Sequence, residues 1–164
     1  MYKVDDIVLY KKDVCKVLKI KVNQLSHEKV YLLRPVYSDG TETVIEVPVA
    51  NRAGNLRDLI SMEELDHLIC AYPSIEVLTT KDITIKKEYI QLLNSNKLED
   101  LVCIIKTTYG KNKKRRDDNL KISSVDDNYF HEAEKILYHQ IGALLNLSFD
   151  DTKQYMTEQW KKRN

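Results

Sequence analysis

The sequence predicts an α+β chain in which a small antiparallel β-barrel precedes an all-α helical domain. Three observations carry that reading. Residues 2–49 hold short apolar runs with the two-residue alternation of strands. Beyond residue 61 the apolar residues recur at spacings of three and four, as on one face of a helix. The 164 residues are 43% hydrophobic and 31% charged, a balance that folds rather than staying disordered, in one domain or two small ones.

The strands come first. "KVDDIVLY" offers Val4, Ile7 and Leu9, broken at Asp5-Asp6. In "VCKVLKIKV", Val14, Lys16, Leu18 and Ile20 alternate with Cys15, Val17, Lys19 and Lys21, with one register slip. "KVYLLRPV" is a third run. Ser38-Asp39-Gly40 reads as a hairpin turn, because Asp-Gly tolerates the positive φ of tight turns. "TETVIEVPV" is the fourth strand, and Pro48 near its end marks an edge or terminus. Closing such a sheet into a barrel removes the edges that invite foreign pairing.

The helices follow. Ser61 and Glu64 form an S-x-x-E capping box, and Leu65, Leu68 and Ile69 make one stripe before Pro73. That divides the chain into 1–72, a linker 73–83 and a helical domain 84–164. Helices are predicted near 84–94 (Ile85, Tyr89, Leu92, Leu93) and near 97–109 (Leu98, Leu101, Val102, Ile105). Ser124 with Asp127 is expected to cap a long helix whose stripe includes Tyr129, Ala133, Ile136, Leu137 and Ile141. Ser148 caps the last helix.

Several functions are excluded or disfavoured. Residues 1–80 carry a net charge of −2 and residues 81–164 a net of +3, so the one dense basic run falls in the second half. That run is "YGKNKKRRDDN", with Lys111, Lys113, Lys114, Arg115 and Arg116 between Tyr109 and Ile122, read as a loop. Cys15, Cys70 and Cys103 are odd in number and widely spaced, so buried free thiols are expected instead of a disulfide framework. No long apolar run suggests a leader or a membrane span, and the cytoplasm is the expected compartment. No phosphate-cradling glycine motif occurs, and "HEAEK" lacks the second histidine of H-E-x-x-H. His131 and His139 are eight residues apart, about 12 Å along a helix, too far to share an ion. No enzyme activity, metal or cofactor is expected.

The order of segments resembles a known family. "MYKVDDIVLY", then "VIEVPVANRAGNLRDLIS" with Val47, Pro48, Asn51, Gly54, Arg57, Ile60 and Ser61, then "LEDLVCIIKTTY", "HEAEKIL" and "LLNLSFDD", is similar to the CarD/CdnL bacterial transcription regulators along essentially the whole chain. The resemblance implies a Tudor/SH3-like barrel that binds the RNA polymerase β subunit. It also implies a helical domain that touches promoter DNA, largely without sequence specificity, at the upstream edge of the melted bubble and stabilises the open complex. Two departures matter. Glu46 stands where relatives often have a basic residue, and "KDITIKK" at 81–87 lacks the tryptophan that wedges into the minor groove.

Two contacts follow as expectations. The polymerase contact falls on a strand from Thr43 to Val47, including Ile45 and Glu46, with Asn23 on the neighbouring strand; an exposed strand edge accepts a partner strand. The DNA contact falls on Lys86, Lys87, Lys111, Lys113, Lys114, Arg115 and Arg116, with Ile83 or Ile85 as a modest apolar wedge. A monomer acting on two macromolecules, with no membrane partner, is the main expectation. The alternative is a protein-interaction module with a Tudor-like barrel and no direct DNA contact.

Overall fold

A computed structural model describes residues 1–37 and 43–163. The chain forms two compact units, one of residues 1–60 and one beginning at Ser61. The expected turn at 38–40 lies outside the described residues.

The first unit is an antiparallel sheet of β1 (Ile7–Tyr10), β2 (Asp13–Val22), β3 (Lys29–Pro35), β4 (Ile45–Pro48) and β5 (Leu56–Asp58), in the order β4-β3-β2-β1-β5. Val8, Cys15, Val17, Tyr31, Leu33 and Val47 are buried on one face as its core. The register slip anticipated in β2 is real: pairing to β3 shifts between Val17 and Lys19, a bulge that lets both sides keep their apolar residues inward. Tyr31 Oη accepts from the Tyr2 backbone N–H at 3.0 Å, and Tyr2 Oη donates to Asp58 at 2.7 Å, which fastens the N-terminal segment over the core. Burial, with that hydrogen bond to Asp58, pushes the Tyr2 phenol up to about 12.

The expected barrel is not closed. Among the described residues the sheet is open, with β4 and β5 at its two ends. Both strands are short, four and three residues, and a turn joins them in place of a ladder. The Asn51 carboxamide supplies the joint: Nδ2 donates to Leu56 O at 2.8 Å and Oδ1 accepts from Leu56 N–H at 3.1 Å. Asn51 and Gly54 both sit at positive φ, 50° and 69°, a conformation that asparagine and glycine tolerate best. β5 was not anticipated, because three residues are too few to show a period.

The second unit holds α1 (Met62–Ala71), α2 (Asp82–Leu93), α3 (Leu98–Asp117), α4 (Ser124–Leu145) and α5 (Phe149–Arg163). The Ser61 capping box is complete, with Ser61 Oγ accepting from Glu64 N–H at 3.1 Å. Leu65, Leu68 and Ile69 are buried, and α1 packs against α3 and α5. The helix therefore belongs to the second unit, and the boundary falls at residue 60, earlier than the sequence suggested.

The expected linker 73–83 is instead a docked strap. Tyr72–Ser74 makes one 3-10 turn. Lys106 Nζ then donates to Tyr72 O at 3.0 Å and Ile75 O at 2.8 Å, and Leu78 N–H donates to Thr107 Oγ1 at 2.9 Å. These bonds satisfy backbone groups that a free linker would leave to water. The cap of α4 is Ser123, one residue before the expected Ser124, and its Oγ accepts from Asp126 N–H at 3.2 Å. Ser148 caps α5 as anticipated. Cys15 and Cys103 are buried, but Cys70 is exposed, contrary to expectation. No helix among the described residues is long and apolar enough to cross a membrane.

Candidate functional site

Two surfaces gather the anticipated residues, one on each unit. On the sheet, β4 pairs with β3 on one side only among the described residues. Val49 N–H donates to Lys29 O at 3.0 Å, and backbone groups reverse direction at each successive residue of a strand. Ile45 and Val47 therefore bond β3, while Glu46 turns its peptide N–H and C=O toward the open edge. Pro48 falls on the same outward period, where its missing N–H costs nothing.

The side chains sort the other way. Val47 is 5% exposed and the half-buried Ile45 packs on the core, so along the expected edge from Thr43 to Val47 these two do not offer a partner their side chains. Thr43 is exposed and precedes the strand, which begins at Ile45. Asn23 is not on the neighbouring strand: it follows β2, and β3 lies between β2 and β4. It still touches the edge residue, since Asn23 Nδ2 donates to Glu46 Oε2 at 3.1 Å and Lys21 Nζ lies 2.8 Å from Oε1. Those bonds, that of Lys21 foremost, hold the Glu46 carboxyl below the usual range. Beside the edge, a cleft of about 290 Å³ runs past Tyr10, Val47, Pro48 and Arg52.

On the helical unit the basic run is not a loop. It forms the last turns of α3, which continues to Asp117. Lysine and arginine favour helix and suit the negative C-terminal end of the helix dipole. Helical spacing then divides the run. Lys111 and Arg115, four apart, face inward: Arg115 Nη1 donates to Asp126 Oδ2 at 2.6 Å and to Asn112 Oδ1 at 2.6 Å, and Nη2 to Asp82 Oδ2 at 3.3 Å. Lys111 bonds Asp82 and lies 3.4 Å from Asp126. Asp126 is 1% exposed and also accepts from Tyr89 Oη at 2.8 Å. Burial, with that bond to Asp126, pushes the Tyr89 phenol well above its usual range. Lys111 and Arg115 thus serve the fold, which corrects their expected place in DNA binding. Lys113, Lys114 and Arg116 are exposed.

α2 supplies the rest. Ile85 is 2% exposed and belongs to the core, so it is not a wedge. Ile83 is 93% exposed in the first turn. Lys86 and Lys87, both exposed, and Ile90, 43% exposed, follow it at spacings of three, four and seven, on the same helix face. Because Lys111 and Arg115 both hold Asp82, this face starts beside the exposed end of α3. Asp117 and Asp118 are exposed at that same end. Sequence reading missed Tyr89 and Asn112 in the buried network and Asp82 at its exposed margin; the four-residue spacing of Lys111 and Arg115 was the only local sign of it. No group of metal-binding side chains occurs among the described residues. No protein-family model matches the chain, and no curated protein matches it.

Proposed function

We propose that the chain is a non-enzymatic transcription regulator that grips the RNA polymerase β subunit through the open edge of β4 and touches promoter DNA through the start of α2 and the end of α3, near the upstream edge of the bubble, stabilising the open complex. The resemblance of its segments to the CarD/CdnL regulators, with their Tudor-like first domain, is one support. The observation that carries the reading is Ile83: a large apolar side chain 93% exposed at a helix start, with Lys86 and Lys87 on its own face and Lys113, Lys114 and Arg116 on the helix beside it. An apolar residue among phosphate-binding cations has the make-up of a wedge into a weakly stacked base step. Five exposed cations give salt-sensitive binding with Kd on the order of 10⁻⁴ to 10⁻⁶ M. Tethering to polymerase makes that adequate by raising the local concentration to roughly millimolar.

A second reading, a protein-interaction module without a DNA contact, is favoured by one observation: Lys111 and Arg115 are already paired, and Asp117 and Asp118 offset part of the exposed charge. Electrophoretic shifts of fork-junction DNA with polymerase separate the two. On the first reading Ile83→Ala weakens the ternary complex about tenfold, in line with loss of a buried apolar contact of 1–3 kcal/mol, and leaves polymerase binding intact, while Glu46→Arg alters polymerase binding. A ternary complex unchanged by Ile83→Ala supports the second.

A further inference from the structure

Away from both surfaces, a cavity of about 400 Å³ opens among α3, α4, α5 and the 3-10 turn at Tyr72. Its walls are aromatic, with Tyr72, Tyr109, Phe130, Tyr138 and Trp160 all lining it. Tyr72 and Trp160 stack with ring centres 4.3 Å apart and planes 14° from parallel. Trp160 is 7% exposed, and its indole N–H is buried with no acceptor among the described residues. Native proteins rarely leave such a donor unmatched, so the indole N–H has capacity for an acceptor, whether water or a ligand atom, at the cavity wall.

Cations surround the aromatic wall. Lys106 sits 4.5 Å over the Tyr72 ring and spends two of its three donors on backbone carbonyls. Lys153 lies 5.9 Å over Phe130 and 3.1 Å from Glu134, and Lys161 is exposed at the rim. A second cavity of about 310 Å³ shares Tyr109, Phe130 and Lys153 with the first and runs on to Arg116 and His131. Glu134 and Asp127 also line the cavities, but the cations outnumber them, so a net positive charge is spread along both. That is the pattern of a groove that follows phosphates while aromatic rings meet bases. A simple aromatic acid would need one cation at one spot.

We propose that this groove binds a nucleotide unit: a base against the aromatic wall, accepting from the Trp160 indole N–H through a ring nitrogen or carbonyl, with its phosphate toward Lys153 and Lys161. The unit comes either from a free mononucleotide or from an unstacked residue of a single strand. The start of α2 takes no part, and only Arg116, at the far end of the second cavity, is shared with the duplex contact proposed above, so Ile83 separates the two sites.

Trp160 is the only tryptophan and reports its own surroundings. The intact chain is titrated with AMP, a short single-stranded oligodeoxynucleotide, a duplex and sodium phosphate at matched phosphate concentration, following tryptophan emission. Saturable quenching by AMP alone identifies a free nucleotide as the source. Quenching by the strand at lower concentration than AMP identifies a strand filling both cavities. Equal quenching by inorganic phosphate, or no response to AMP and strand, overturns the proposal. By calorimetry, Trp160→Phe binds about tenfold more weakly, as expected for a lost buried hydrogen bond, and Lys161→Ala, exposed on the rim and so tolerant of substitution, also weakens binding; unchanged affinity in Lys161→Ala overturns the site. Ile83→Ala, run in parallel, keeps the quenching if the two sites are separate.

Discussion

The six positions from Lys111 to Arg116 hold five cations of nearly the same chemistry, and their surroundings divide them. Arg115 completes a buried carboxylate; Lys113 faces water. Arg115→Ala strips Asp126 of its 2.6 Å partner and is expected to lower unfolding free energy by about 3 kcal/mol, whereas Lys113→Ala should stay within about 0.5 kcal/mol. Urea unfolding of the two variants checks the contrast. Asp82 adds a pH dependence. The hydrogen bond from Lys111, with Arg115 beside it, holds its carboxyl below the usual aspartate range. A depressed folded value means that the tether is at full strength above the ordinary aspartate pKa and is lost as pH falls through the lowered one. Asp82→Asn should therefore flatten the acid limb of the melting temperature below the ordinary aspartate pKa and leave its course from there to neutral pH unchanged. The basic residues were legible in the sequence. Their roles were not, because the partners Asp82 and Asp126 lie 33 and 11 residues from Arg115 and meet it only through the packing of three helices.

Elements with a local cause were legible, such as the Ser61 capping box, the Ser148 cap and the bulge in β2. Each is written within a few neighbouring residues. The end of α3 was not, because Gly110 and the charged run after it have the look of a loop, while in the structure the helix runs on for seven more residues. Asn112 holds it there: its Oδ1 accepts from Ser123 N–H at 2.9 Å and its Nδ2 donates to Ser123 O at 3.3 Å, tying α3 to the start of α4. A Cβ at Gly110 would meet nothing within 4 Å. Gly110→Ala should therefore stabilise the chain by about 0.5–1 kcal/mol, because alanine loses less backbone entropy on entering a helix. A thermal melt that rises confirms the helix through this point; a fall shows that the glycine serves a bend.

At the scale of the whole molecule, the sequence reading of strands followed by helices holds, and the closed barrel does not. Closure depends on pairing between β4 and β5, which lie at opposite ends of the sheet order and are separated in sequence only by the Asn51 turn; nothing in their alternation announces whether such a pair forms. The open edge of β4 is what makes a strand-addition contact physically available. The central claim is that one unit anchors the chain to polymerase so that a weak ionic contact from the other becomes sufficient. Its most direct measurement is the affinity of the intact chain for fork-junction DNA with and without saturating polymerase. Dissociation constants lower by about a hundredfold or more in the presence of polymerase, as effective-concentration arithmetic requires, are predicted. Equal affinity in the two conditions would contradict it.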